Sequence, residues 1–281
     1  AGNFSVADVF DGNAYAHDPR TQFLNWSLMA YGASDYAADV RGYTWGVALE
    51  LYLDEWAFRV GRFAQPKVSN GLDLDPDLLA HHGDSLEIEH AHELLGRRGK
   101  VRVAGFRNFA RMGSFSDALA RAAAVGGAPD VADVRRDRAK YGFGAGLEQE
   151  LAGDVGVFAR YSWNDGRTET YAFTEIERSI MGGVSVKGTR WRRERDTVGV
   201  ALVQNALSSA HRRYVEAGGA GLFVGDGALR YRPERILEAY YSFQASPGLW
   251  FSLDAQRIEN PAYNADRGPV SILGCRFHVE Y

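Results

Sequence analysis

The chain has a single cysteine, Cys275, in 281 residues, so neither an internal disulfide framework nor a multi-cysteine zinc site can form. Prolines number only eight. No apolar run approaches the roughly 18 residues that a helical membrane span needs. The first residues, Ala1, Gly2, Asn3, Phe4 and Ser5, lack a basic stretch followed by an apolar one, so no signal peptide is read there. Charge of one sign is also scarce. A formal net charge of -4 with a pI near 6.0 excludes the strongly basic face that nucleic acids require. Apolar residues at 46% and charged residues at 24% exclude a disordered tail or a coiled coil. A mean hydropathy of -0.30 suits a water-soluble protein. It suits equally a β-barrel whose strands alternate lipid-facing and water-facing residues.

What the sequence does have is a period of two. Tyr43, Trp45, Val47, Leu49 and Leu51 share one face, with Thr44, Gly46, Ala48 and Glu50 on the other. After Asp54 and Glu55, Trp56, Phe58 and Val60 alternate with Ala57, Arg59 and Gly61. Residues 140–150 and 155–164 repeat the pattern, as do 237–244, 249–256 and 273–281. Weaker strands fit residues 2–9, 84–93, 99–109, 178–187 and 196–206. Such alternation marks β-strands, about twelve of them, each near the length a tilted membrane strand needs.

The connections sort by length. Short ones fall near 53–55, 95–98, 152–154 and 246–248, with a longer charged one at 188–195. Long ones fall at 11–41, 65–83, 111–137, 165–177, 207–233 and 259–268. The two kinds alternate, as the periplasmic turns and extracellular loops of outer-membrane barrels do. A Greek-key sandwich would scatter loop lengths without this parity. The aromatic residues agree. Tyr43, Trp45, Tyr141, Phe143, Tyr161 and Trp163 gather outward near the long-loop rim, and Trp56, Phe58, Tyr241, Phe243, Phe251 and Tyr281 near the opposite one. Two such girdles fit two membrane interfaces. The expected fold is an all-β, antiparallel transmembrane barrel forming a single domain over residues 1–281. Two long loops carry helical stretches: Ser116 is placed to cap residues 117–125, and Ser208 or Ser209 a helix running to Ala217. These helices either narrow the pore or lid its rim.

Residues 205–281 resemble the carbohydrate-selective porin family named OprB. The resemblance is carried by Asn205, Leu207, Ser208, His211, Tyr214, Gly218 and Gly219, and then by Gly225, Asp226, Gly227, Leu229, Tyr231, Pro233 and Glu234. It continues in Glu238, Tyr240, Tyr241, Asp254, Gln256, the run Asn260, Pro261, Ala262, Tyr263, Asn264, then Asp266, Arg267, Gly268, Pro269, and finally Arg276, Phe277 and His278. Phe4, Ser5, Asp8, Phe10, Asp11, Asn13, Tyr15 and Asp18 to Thr21 belong to it as well, with Asp39, Gly42, Tyr43 and Gly46. The resemblance implies passive, sugar-selective diffusion across a bacterial outer membrane. It implies saccharides as solutes, lipid and lipopolysaccharide as surroundings, a monomer or homotrimer, and assembly through the last strand, with no cofactor. The family's barrels have sixteen strands, so N-terminal strands and a signal peptide are expected to be missing here. A general diffusion porin and an outer-membrane barrel enzyme are the alternatives.

The candidate pore-lining residues are Glu50, Arg59, Arg102, Glu148, Arg160, Glu238, Tyr240, Trp250, Asp254 and Arg276, joined by Glu87, Glu89, Lys140, Glu150, Lys187, His278 and Glu280. They are expected to meet water, so that replacing Arg160 or Arg276 would cost within roughly 0.5 kcal/mol. Mixed carboxylates and guanidinium groups suit sugar hydroxyls, whereas a single-sign ring would select ions. Tyr240 and Trp250 are expected to stack on pyranose faces. For each residue the alternative is a wall-to-wall ion pair or a solvated side chain. No catalytic or metal site is assigned. His90 and His92, near His81 and His82, share a strand face without a required metal. Ser209 and His211 lack an acidic orienter at a readable spacing. The glycines of 218–221 and 225–227 read as turns, because no strand-to-helix crossover follows. The basic run 190–195 reads as a solvated turn.

Overall fold

The computed structural model describes residues 1–280. Twelve strands form one antiparallel sheet in which each strand pairs with its neighbours in sequence. They are β1 (Gly2–Phe4), β2 (Thr44–Leu53), β3 (Trp56–Ala64), β4 (His82–Leu94), β5 (Arg97–Met112), β6 (Arg136–Ala152), β7 (Val155–Asn164), β8 (Arg178–Gly188), β9 (Arg193–Ala206), β10 (Glu234–Ser246), β11 (Leu249–Glu259) and β12 (Val270–Val279). Three helices lie between them: α1 (Trp26–Met29), α2 (Phe115–Val125) and α3 (Ser209–Glu216).

Turn chemistry fixes the short-turn rim. Leu95 and Gly96 both take positive φ, the conformation of a type I′ hairpin whose twist matches its strands. Pro247 followed by Gly248 at φ 76° gives the β10–β11 turn its type II form. The register follows, with Glu50 opposite Arg59 and Glu238 opposite Gln256. Along each strand the outward positions carry exposed apolar side chains, including Leu49, Val103, Leu202 and Leu253. Leu273 is 86% exposed. An apolar band on the outside is the reverse of a soluble sandwich and is what lipid requires.

Three expectations are corrected. The strand expected over residues 2–9 ends at Phe4, and a 3-10 turn over Val6–Asp8 follows, because Asp8 accepts the Ser5 amide at 3.0 Å. The cap of α2 is Ser114, whose hydroxyl accepts the Asp117 amide at 3.3 Å; Ser116 lies inside the first turn. The segment expected as an extracellular loop at 11–41 lies against the concave inside of the sheet instead. Ser208 does cap α3, accepting the His211 amide at 3.0 Å. Tyr281, expected in the lower girdle, lies outside the described residues.

The inner segment explains the core. Phe23, Leu28 and Ala16 pack with Phe158 of β7, Met181 of β8, Ala201 and Val203 of β9 and Tyr240 of β10. Phe10 packs on Phe63 of β3. One stretch of about 35 residues thus touches the inner faces of strands from β3 to β12 (Arg276 completes the list), so the sheet curls around it.

Candidate pore and its inner segment

The side chains that project inward fasten this segment. Irregular backbone carries donors and acceptors that must be paired once water is removed. Glu87 accepts the Asp11 amide at 2.7 Å, and Glu148 accepts the Ala14 amide at 2.9 Å. Glu238 accepts the amides of Leu24 and Asn25 at 2.5 and 3.0 Å. Arg160 donates to the carbonyls of Ala16 and Leu28 at 2.8 and 2.9 Å and pairs with Asp11 at 3.1 Å. Arg276 donates to the carbonyls of Pro19 and Gln22 at 2.5 and 2.9 Å. Further along, Asn164 donates to Ala33 at 2.9 Å, and Lys140 to Asp35 at 3.0 Å. Hydrogen bonds to charged groups are worth about 1.5–3 kcal/mol each, so the segment is held firmly.

A charge relay runs beside it on β2 to β6. Arg59 reaches Glu50, Glu87 and Glu89 at 3.0, 2.7 and 3.3 Å. Arg102 bridges Glu89 at 2.6 Å and Glu148 at 2.9 Å, and Lys100 adds a third bond to Glu89 at 2.8 Å. Antiparallel register creates this relay, because Arg59 stands opposite both Glu50 and Glu87, and Arg102 opposite Glu89.

The ten expected wall residues therefore fall into two groups. Glu50, Arg59 and Trp250 keep some solvent access, and Arg276 is half-buried. Arg102, Glu148, Arg160, Glu238, Tyr240 and Asp254 are buried. The expectation that all of them meet water is corrected: the inner segment covers them. Tyr240 is corrected as a stacking platform too. Phe23 meets its ring edge-to-face at 4.9 Å, so its face is already occupied. Asp11, Asp35, Asn164 and the fastening role itself were not visible in the sequence, since nothing in residues 11–41 distinguishes a segment inside a barrel from one outside.

The helices of the long loops pack on each other at the rim. Phe115 of α2 stacks on His211 of α3 at 4.3 Å, with Tyr214, Val215, Leu207 and Tyr263 around them. His211, fully buried, places Nδ1 at 2.8 Å from Glu177 and Nε2 at 3.8 Å from Glu175. The acidic orienter that sequence spacing hid thus exists, 34 residues away. Ser209 is exposed and the hydroxyl beside the imidazole's amide is Ser208, which caps the helix and donates to the Gly166 carbonyl at 2.6 Å. Burial would depress the His211 pKa, but the two carboxylates outweigh it and hold it above its ordinary value. Burial would raise Glu177, yet His211 brings it below the usual carboxylate value, whereas burial pushes Glu175 up. His90 lies on Trp56 at 4.3 Å, and His92 bonds Gln149 at 2.9 Å.

The comparisons with known proteins agree with this geometry. A family model described as "Carbohydrate-selective porin, OprB family" matches residues 1–281. The chain is similar to the high-pH structure of Pseudomonas putida OprB, with a TM-score of 0.77 and 17% identity, over 99% of this chain and 68% of that one. The low-pH structure of the same protein matches with a TM-score of 0.52 and 12% identity, over 99% and 60%. The outer-membrane channel DcaP of Acinetobacter baumannii matches with a TM-score of 0.52 and 10% identity, over 98% and 68%. At these identities the likeness is one of fold. No curated relative matches the chain. The family and its structural neighbours are porins, channels rather than enzymes. A match along all 281 residues settles the family, and the chain belongs to the carbohydrate-selective porins of the OprB family, outer-membrane β-barrel channels for sugars.

Proposed function

We propose that sugar selectivity arises from an inner wall whose charges are internally balanced. The observation that carries this is the relay on β2 to β6, in which each cation already meets carboxylates: Arg59 with Glu50, Glu87 and Glu89, Lys100 with Glu89, and Arg102 with Glu89 and Glu148. Four carboxylates against three cations leave the relay within one formal charge of neutral, so the wall presents no large field to attract ions. It still presents donors and acceptors that exchange with sugar hydroxyls one weak contact at a time. Glu50, Arg59 and Trp250 meet the solute. Arg102, Glu148, Arg160, Glu238, Tyr240, Asp254 and Arg276 shape the passage by holding the inner segment. Residues 1–281 act as one barrel domain, surrounded by lipid and lipopolysaccharide, as a monomer or homotrimer. The last strand presents the chain to the barrel assembly machinery.

The reversal potential of the reconstituted channel in a salt gradient tests this. The wild type should show little preference between small cations and anions. Arg59→Ala leaves three carboxylates short of a partner, so it should turn the channel toward cations. A strong ion preference in the wild type, or no change in the variant, would count against the balanced wall.

A further inference from the structure

We propose that the lipid-facing wall holds a site for lipid A, the phosphorylated and acylated glycolipid of lipopolysaccharide. Its phosphate sits among Arg232, Arg235 and Arg267, and one acyl chain fills the groove beneath them. Two cavities on the outside of the sheet meet at Arg235. The upper one, of about 480 Å³, lies between the start of β10, the end of β11 and the run 260–269. Its charged lining residues are Arg232, Arg235, Arg267 and Glu259. The lower one, of about 440 Å³, runs along β8 and β9, with Ile180 and Leu202 as walls and Gly182 as floor. The site lies outside the lumen, so its loss would leave the sugar selectivity untouched.

Register sets the depth of the site. Arg235 stands opposite Gln204 and Glu259, Gln204 opposite Ile180, and Ile180 opposite Tyr161 of the long-loop girdle. Aromatic girdles mark headgroup level, and long loops mark the extracellular side. Leu202 and Leu237 stand opposite each other one outward step closer to the short turns, both exposed, so the groove opens to acyl chains. A Cβ at Gly182 would meet only the Phe158 carbonyl oxygen, at 3.4 Å, so the floor is open as well. Above it, Arg267 pairs with Asp226, and Arg235 donates to the Gln204 side-chain oxygen at 3.1 Å. Arg232 is exposed and has no ion-pair partner among the described residues. Three guanidinium groups against Glu259 and Asp226 leave one positive charge in surplus, which a phosphate complements through charge-assisted hydrogen bonds. The pocket is preformed, because the run 260–269 is tied to the entry of β10. Asn260 donates to the Pro233 carbonyl at 3.0 Å, Glu234 accepts the Ala262 amide at 3.0 Å, and the Arg232 amide donates to the Tyr263 carbonyl at 2.9 Å. Binding there loses little to ordering.

The test titrates the whole channel in detergent with lipid A and reads bound lipid by native mass spectrometry. Arg232→Gln and Arg235→Gln should each raise the dissociation constant about tenfold, and Gly182→Leu, which fills the groove, about fivefold. Arg190→Ala, at the opposite rim, should leave it unchanged. Phosphatidylglycerol, a phosphodiester with one charge, should bind about tenfold more weakly or worse. Heat-modifiable migration in detergent gels shows that each variant has folded. Should Gly182→Leu fail to fold, the arginine variants decide. Wild-type affinity in both arginine variants would overturn the site, as would equal affinity for phosphatidylglycerol. A wild-type dimer without bound lipid A, dissociated by Arg235→Gln, would overturn it too and assign this face to a second copy of the chain.

Discussion

Arg160 on β7 pairs with Asp11 of the inner segment at 3.1 Å, and both side chains are 1% exposed. The pair sits beneath a segment that the strands wrap, and the same guanidinium holds two main-chain carbonyls. Removing it leaves a buried carboxylate without its partner, a loss that typically amounts to about 3–5 kcal/mol. Arg160→Ala should therefore lower the temperature at which the barrel loses its compact gel migration. Arg62→Ala, which removes a pair with Asp84 that is partly exposed, should change stability by only about 0.2–1 kcal/mol. Equal effects of the two substitutions would show that the inner segment is not seated as described.

The cap of long loops should be most stable in a bounded pH window. The His211 pKa is raised on folding, so its stabilising contribution is complete below the ordinary value of 6.5 and is lost as pH climbs through the raised one. Glu177 is lowered, so its contribution is present above the ordinary carboxylate value and is lost as pH falls through the lowered one. Amide exchange in α3, corrected for intrinsic rates, should be slowest between these limits. In His211→Ala the alkaline loss should disappear. Protection that is flat with pH in the wild type would contradict the charged His211–Glu177 pair.

Cys275 shares a face with Leu273, Phe277 and Val279, all exposed on β12, and stands opposite Leu253. A lipid-soluble thiol reagent should label it in membranes, and a charged one should not. Rapid labelling by the charged reagent would mean that β12 is shifted by one residue, since a single step exchanges the two faces of a strand.

The strands were legible because lipid on one side and polar contacts on the other impose a strict period of two, clearest in 43–51 and 155–164. The girdles were legible for the same reason: Trp45 and Tyr141 are 60% and 50% exposed near one rim, and Trp56 is 44% exposed near the other. What stayed hidden depends on contacts remote in sequence. Glu238 meets Leu24 across 214 residues, and Glu177 meets His211 across 34. A charge at an inward position looks the same in sequence whether it faces water or a backbone amide. That ambiguity made Arg160 look like a solvated wall residue. Residues 11–41 carry little periodicity, because their main chain is bonded by side chains and not by a ladder.

A wall with nearly balanced charges should pass neutral sugars in preference to ions of the same size. Swelling of liposomes that contain the whole channel measures this directly, with a neutral hexose compared against size-matched anionic and cationic solutes. Swelling should be faster with the hexose than with either charged solute, and the difference should shrink after Arg59→Ala unbalances the relay. Equal rates for all three solutes in the wild type would contradict it.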